Sequence, residues 1–462
     1  NFHVKRRKPL AAPNTDFSQG SVWKNIVRMS IPITLAQLIN ILYNIVDRMY
    51  IGHIPGAGAL ALTGLGLCLP VISIVMAFAR LSGMGGGPLC SIERGKGDLQ
   101  EAERIMGNSF TLLMIFAVML TFLGEVFLRP ILMAFGASND TIGYAMDYGR
   151  IYLAGNVFVL ISLGMNNFIN AQGFARTGMV TTLVGAVLNI VLDPIFIFVL
   201  DWGVKGAATA TVISQAVSAL WVMQFLTGKR AQLRLRWENL KLNAQRTGRI
   251  LTLGFSGFVM AFTNSAVQVV CNSVLSSYGG DLYVGVMTVL SSIREVVSMP
   301  VQGLTGAAEP VLGFNYGARK MQRVRQGIRF ISVCALAYSL LVWGIIRVMP
   351  GPLIRIFNNE DHLVQTAVPA LGIYFATFFM MALQFAGQST FVSLGKSKQA
   401  VFFSIFRKVI IVVPLTILLP KLSYFGVNGV FWAEAISNVI GGIACYGTMY
   451  ITVYRPLGRQ TG

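Results

Sequence analysis

The sequence predicts an all-α polytopic membrane protein of twelve transmembrane helices in two pseudo-symmetric six-helix lobes. Three observations predict it. The 462-residue chain is 54% hydrophobic and only 12% charged, about half the charged fraction of a soluble domain. Apolar runs recur along the whole length, each near the about 20 residues that a membrane-spanning helix needs. The second half also repeats the first. "GVKGAATATVIS" at 203–214 and "GVNGVFWAEAIS" at 426–437 share six of twelve residues at an offset of 223.

Taken in order, the predicted spans are 26–51, 59–84, 103–127, 141–170, 178–200 and 203–227, then 249–277, 282–305, 322–348, 362–392, 397–420 and 424–452. The first carries Pro32 and Asp47, and the fifth Asn189 and Asp193. Pro194 and Pro414 hold similar places in the fifth and eleventh spans, and Pro88 and Gly95 align with Pro310 and Gly317. A six-span repeat is even, so both copies enter the membrane from one side. An axis along the membrane normal should relate them, with a binding site near mid-depth between them.

The net charge of +19 does not point to nucleic acid, because the basic residues cluster in short segments between apolar runs. Lys5, Arg6, Arg7, Lys8, the Arg94–Arg104 loop, the Lys229–Arg249 linker and the Arg319–Arg329 loop all fall on one side. The positive-inside rule makes that side, and both termini, cytoplasmic. Basic segments there would also sit against anionic lipid head groups. The predicted organisation is a basic N-terminal segment (1–24), an N-terminal lobe (25–227), a basic linker (228–248), a C-terminal lobe (249–454) and a tail (455–462). The linker reads equally as an amphipathic surface helix or as a solvated connector. Five scattered cysteines show no metal or redox spacing. No apolar segment with a small-residue cleavage site follows the basic start, so no signal peptide is expected.

"NIVLDPIFIFV" (189–199) is the most informative stretch, since it places Asp193 and Asn189 one turn apart in an apolar run. An ionisable residue at the centre of a span costs about 2.5–3.5 kcal/mol on insertion scales, which makes it a functional hypothesis by default.

Several stretches carry a family signature. "LYNIVDRMYIGHIPGAGALALTGLGLCLP" (42–70), "SIERGKGDLQEAERI" (91–105) and "EPVLGFNYGARK" (309–320) resemble the multidrug and toxic compound extrusion (MATE) transporters. "REVVSMPVQG" (294–303) resembles the MepA-like bacterial branch. The resemblance covers essentially all of 20–454. It implies the MATE fold, a place in the bacterial cytoplasmic membrane, and export of small cationic or amphipathic drugs against inward H⁺ or Na⁺. No cofactor or other metal is implied, and a monomer among membrane lipids is expected. In several family members a cation or proton site lies in the N-terminal lobe. Carried over residue by residue, it falls on Asp47, Asn189, Asp193 and Thr211, and a proline associated with helix bending falls on Pro32.

Geometry permits that site. At 1.5 Å per residue, Asp47 lies roughly 6 Å below its span's outer end, Asp193 roughly 10 Å and Thr211 roughly 12 Å. Asn189 shares a face with Asp193, because residues i and i+4 are neighbours. Carboxylate, amide and hydroxyl oxygens suit a small hard cation, and two close carboxyls in low dielectric equally hold a proton. The alternative is that Asn189 and Asp193 only glue helices together. Pro32 reads either as a static kink or as a moving hinge.

Elsewhere, Glu295 in the eighth span is a candidate contact for cationic cargo or a structural partner. "YFATFFMMALQF" (374–385) offers Phe379, Met380 and Gln384 as further substrate contacts, against a bland reading as helix packing. Glu434 occupies the repeat position of Thr211 and is expected to pair with Arg407 and Lys408. Asp147 and Arg150 are expected to pair locally. Some family branches place acids in the seventh and tenth spans. Here Asn264, Gln268, Asn272, Gln384 and Gln388 stand there, and the partners of Asp47 and Asp193 are Val270 and Val413. That makes the N-terminal lobe the better candidate for coupling.

Three rivals remain. A lipid-linked precursor flippase of the same superfamily would be expected to carry a cationic cavity for pyrophosphate. A major facilitator transporter lacks its characteristic loop here. A membrane enzyme lacks any Walker loop, zinc-type histidine pattern or nucleophile elbow, and the three histidines are scattered. The function that the resemblance implies remains secondary active efflux.

Overall fold

The structure, a computed structural model, describes residues 15–459. Lys5, Arg6, Arg7 and Lys8 of the predicted basic segment, and the end of the predicted tail, lie outside these. Every regular element among the described residues is helical. The first six spans are α1 (Val22–Gly52), α2 (Gly58–Lys96), α3 (Leu99–Ala134), α4 (Ile142–Ala154 with Asn156–Ala171), α5 (Ala175–Val199) and α6 (Gly203–Thr227).

The next helix, Ala244–Gly317, has 74 residues, too long for one crossing. It breaks at Gly280, whose φ of 68° and ψ of −167° are open essentially to glycine alone. Residues 244–279 are α7 and 281–317 are α8. The remainder are α9 (Met321–Val348), α10 (Asp361–Tyr374 with Phe378–Ser393), α11 (Ser397–Lys421) and α12 (Gly426–Arg459). Twelve spans result among the described residues.

The details differ from expectation where backbone hydrogen bonding is locally rearranged. α4 and α10 are bent by 59° and 50°. α5 ends in a π-helical turn, Ile195–Val199, directly after Pro194. α11 carries another, Phe406–Val412, just before Pro414. Proline removes an N–H from the helical ladder, and the ladder re-registers beside it. The predicted loop after the second span is mostly helix. α2 runs on to Lys96, and the Asp98 carboxylate then accepts from the Glu101 amide at 2.9 Å to cap α3.

Packing divides the chain into two compact units. The first holds 15–20 and 31–254, the second 21–30 and 255–459. The division runs through α1 just before Pro32. In the second unit, Val22 and Ile26 pack at Gly327 of α9, and the Trp23 ring lies 6.4 Å from Phe330.

The linker packs onto the first unit instead of forming an amphipathic helix; only a 3₁₀ turn, Trp237–Asn239, interrupts residues 228–243. Its backbone is held by side chains. The Leu233 amide donates to Gln172 at 2.8 Å, and the Asn108 side chain donates to the Lys241 carbonyl at 2.9 Å. The acids of 91–105 take the cations where it joins α7. Glu101 accepts two 2.8 Å hydrogen bonds from Arg246, and Glu93 lies 3.2 Å from Arg249. Asp147 and Arg150 do not pair with each other. Asp147 lies 3.6 Å from Lys205 and Arg150 3.8 Å from Glu125. Tertiary neighbours offered better-aimed partners than the i, i+3 position, and exposed pairs of this kind add little stability.

Candidate functional site: buried carboxyls of the first unit

α5 and α6 approach closely enough to bring their polar residues together. A side chain at Gly206 would place its Cβ 2.6 Å from the Phe196 carbonyl oxygen, so only glycine fits. The Ser218 hydroxyl donates to the Thr181 carbonyl at 3.0 Å and ties the same helices farther along. Between these contacts the Asn189 side-chain amide donates to Asp193 Oδ1 at 3.2 Å and to Thr211 Oγ1 at 3.4 Å. The Thr211 hydroxyl itself donates to the Ala207 carbonyl at 3.0 Å. α1 reaches the end of α5, where the Tyr50 ring lies 6.3 Å from Phe198. One turn earlier it presents Asp47, whose carboxyl is within hydrogen-bonding reach of Asp193.

All four residues are buried, Asp193 completely. Three oxygens there, Asp47 Oδ1, Asp193 Oδ2 and Asn189 Oδ1, have no hydrogen-bond donor. Two ionised carboxylates only accept hydrogen bonds, so neither can satisfy the other. Neither aspartate forms a salt bridge among the described residues. Such an arrangement is strongly unfavourable as two bare anions. A proton between the carboxyls, or one small hard cation among the oxygens, relieves it.

Sequence reasoning missed two neighbours. Tyr43, on α1, lies within electrostatic reach of both Asp47 and Asp193. Tyr148, on α4, lies within electrostatic reach of Asp47 and stacks on Tyr152 with ring centroids 6.1 Å apart. Tyr43 could have been found, since it stands four residues before Asp47 on the same face. Nothing in the sequence points to Tyr148, which arrives from a different helix.

The repeat-related place in the second unit is different chemistry. Glu434 there is buried and meets three cations: Arg294 at 2.7 Å, Arg407 at 3.3 Å and Lys408 at 3.4 Å. The predicted partners Arg407 and Lys408 are present, and Arg294 of α8 joins them. Glu295 is exposed. Phe379 is half-buried, its ring edge-on to Trp343 at 5.8 Å, and Met380 is half-buried beside it. Gln384 is buried and donates to the Phe403 carbonyl at 3.4 Å, while its Oε1 has no donor.

A family model described as MatE matches the chain twice, over residues 32–195 and 257–418. The chain belongs to the MatE family. The two matches fall on the two halves of the internal repeat. Among similar curated proteins is the multidrug export protein MepA of Staphylococcus haemolyticus, 24% identical over 447 residues and 96% of each chain. MepA of Staphylococcus aureus is 23% identical over 437 residues, 94% of this chain and 95% of its own. A solved multidrug resistance MATE family transporter, in an outward-facing conformation, superposes with a TM-score of 0.90. It is 23% identical and covers 98% of this chain and 100% of that one. A solved MATE in a bent conformation gives 0.90 at 25% identity, over 96% of this chain and 98% of that one. This MatE protein is thus a membrane transporter, not an enzyme.

Proposed function

We propose that this protein is a secondary active exporter of amphipathic, chiefly cationic compounds, exchanging them for H⁺ or Na⁺ by alternating access. In this reading both termini are cytoplasmic and the coupling ion binds at Asp47, Asn189, Asp193 and Thr211. The observation that carries it is the set of three buried oxygen acceptors without donors on α1 and α5. Loaded with a proton, the two carboxyls share a hydrogen bond and hold α1 to α5. Unloaded, they are two anions in low dielectric and repel. α1 can transmit that change, because Pro32 has no N–H to give to the helical ladder and so weakens it locally. The change of packing partner between Ser30 and Ile31 supports a hinge there. Drug binding in the unloaded state follows, and the names of the MepA relatives support drugs as cargo. In the second lobe, Glu295, Phe379, Met380 and Gln384 are the proposed cargo contacts.

Dye efflux from proteoliposomes under an imposed pH gradient, and separately a Na⁺ gradient, tests the exchange. Uphill efflux with one of the two is expected; efflux indifferent to both overturns ion coupling. Linkage adds a second expectation, because each ligand must weaken the other by the same factor. Drug affinity at equilibrium should therefore rise as the coupling ion is withdrawn. A second reading, flipping of a lipid-linked anionic precursor, draws support from the three cations around Glu434.

A further inference from the structure

The cation cluster of the second unit is not balanced. Arg294, Arg407 and Lys408 converge on one carboxylate, and largely on one of its oxygens. Glu434 Oε1 accepts from Arg294 Nη1 at 2.7 Å, from Arg407 Nη2 at 3.3 Å and from Lys408 Nζ at 3.4 Å. Glu434 Oε2 has only Lys408, at 3.5 Å. The remaining hydrogen bond runs from Arg407 Nη1 to Asn438 Oδ1, a neutral acceptor. The other nearby acid is Glu295, exposed, adjacent to Arg294 in sequence and felt by it only through the longer-range field. Three buried or nearly buried cations thus face one buried anion. Taking such charges out of water costs several kcal/mol each unless they are compensated. For an ordinary helix tie, one cation would have served.

Two further observations show where an added anion would sit. The Tyr374 hydroxyl is buried and has no hydrogen-bond partner. Its ring lies under the Arg294 guanidinium, 5.5 Å from centroid to Cζ, and it is in electrostatic reach of Glu434 and Arg407. The cluster is also open at one end. The Arg294 side chain is 23% exposed, against 9% for Arg407 and 7% for Lys408. Arg294 therefore presents charge outward, with a hydroxyl donor beside it and two more cations behind.

We propose that Arg294, Lys408 and Tyr374 form a receptor for an anionic oxygen group on the cargo, a carboxylate, so that this transporter carries zwitterionic amphiphiles. The proposal rests on the reading of the protein as an exporter of amphipathic compounds and specifies their chemistry. Arg294 has planar N–H donors free of Glu434 and suited to a carboxylate. The Tyr374 hydroxyl donates to the same group, and Lys408 supplies charge from behind. Glu434 acts as the internal competitor, holding the cations together when no cargo is bound. The exposed Glu295, next along α8, suits the cationic end of such a molecule.

The test is equilibrium binding of a matched dye pair to the purified full-length protein at fixed pH: a rhodamine methyl ester, which is a cation, and the same rhodamine as the free carboxylate. No gradient is involved, so a failure of ion coupling would leave the result standing. The wild type should bind the carboxylate form at least as tightly as the ester. Arg294→Gln and Lys408→Met should each weaken the carboxylate form roughly tenfold and leave the ester within about twofold, the range of one charged hydrogen bond. Glu434→Gln should change affinity in the opposite sense and tighten the carboxylate form, since it removes the competitor. A merely structural cluster would shift both dyes together, or leave the Glu434→Gln protein no tighter, and either result overturns the proposal. Inorganic pyrophosphate displacing the carboxylate dye at lower concentration than acetate or benzoate would overturn it in favour of a lipid-linked phosphate cargo.

Discussion

Asp193→Asn should give a folded protein that still binds dye and no longer exports it uphill, with gradient-driven efflux reduced to the level of empty liposomes. Asparagine keeps the shape of the carboxyl and cannot ionise, so the variant is held in a mimic of the loaded state. Stability should not fall, because the change removes a buried charge that has no salt-bridge partner among the described residues. Asp47→Asn should behave the same way, since either substitution ends the exchange of one proton between the two carboxyls. The sign of the pH effect separates this from simple damage. In the wild type, raising pH withdraws the proton and should raise dye affinity. In either variant the affinity should be flat with pH and close to the wild-type value at low pH. Dye binding that ignores pH and Na⁺ in the wild type, or variants that still pump against a gradient, would reduce the pair to a helix–helix contact.

Glu434→Gln should lower the stability of the second unit more than any other single polar change there. It leaves Arg294, Arg407 and Lys408 buried or half-buried without an anion. Removing one partner of a buried ion pair costs about 3–5 kcal/mol, most of it the penalty for the stranded charge. The measurement is the thermal unfolding midpoint of the purified protein in detergent, with Asp193→Asn as the control. Adding Lys408→Met to Glu434→Gln removes one stranded cation and should recover part of the loss. A midpoint within a degree or two of wild type would mean that water or lipid head groups already neutralise these cations.

The two buried sites show how far the linear chain reaches. Asn189 and Asp193 are legible from the sequence because one turn of helix fixes their shared face, whatever the helix packs against. The spans and the repeat are legible too, because a bilayer demands about 20 apolar residues and a duplicated lobe keeps its spacing. Depth follows from rise per residue, which is why Glu434 could be placed near Arg407 and Lys408. Rotation and tilt do not follow, since they are set by contacts with neighbouring helices. Only the close seat of Gly206 on the Phe196 carbonyl turns Thr211 toward Asn189, and only the path of α1 brings Asp47 to Asp193. For the same reason Tyr148, Arg294 and Tyr374 were invisible as site residues: each arrives from a helix distant in sequence. The linker shows this outside the membrane. Its basic composition was plain from the sequence, but side chains from distant positions, Glu93, Glu101 and Asn108, decide that it lies folded against the first unit.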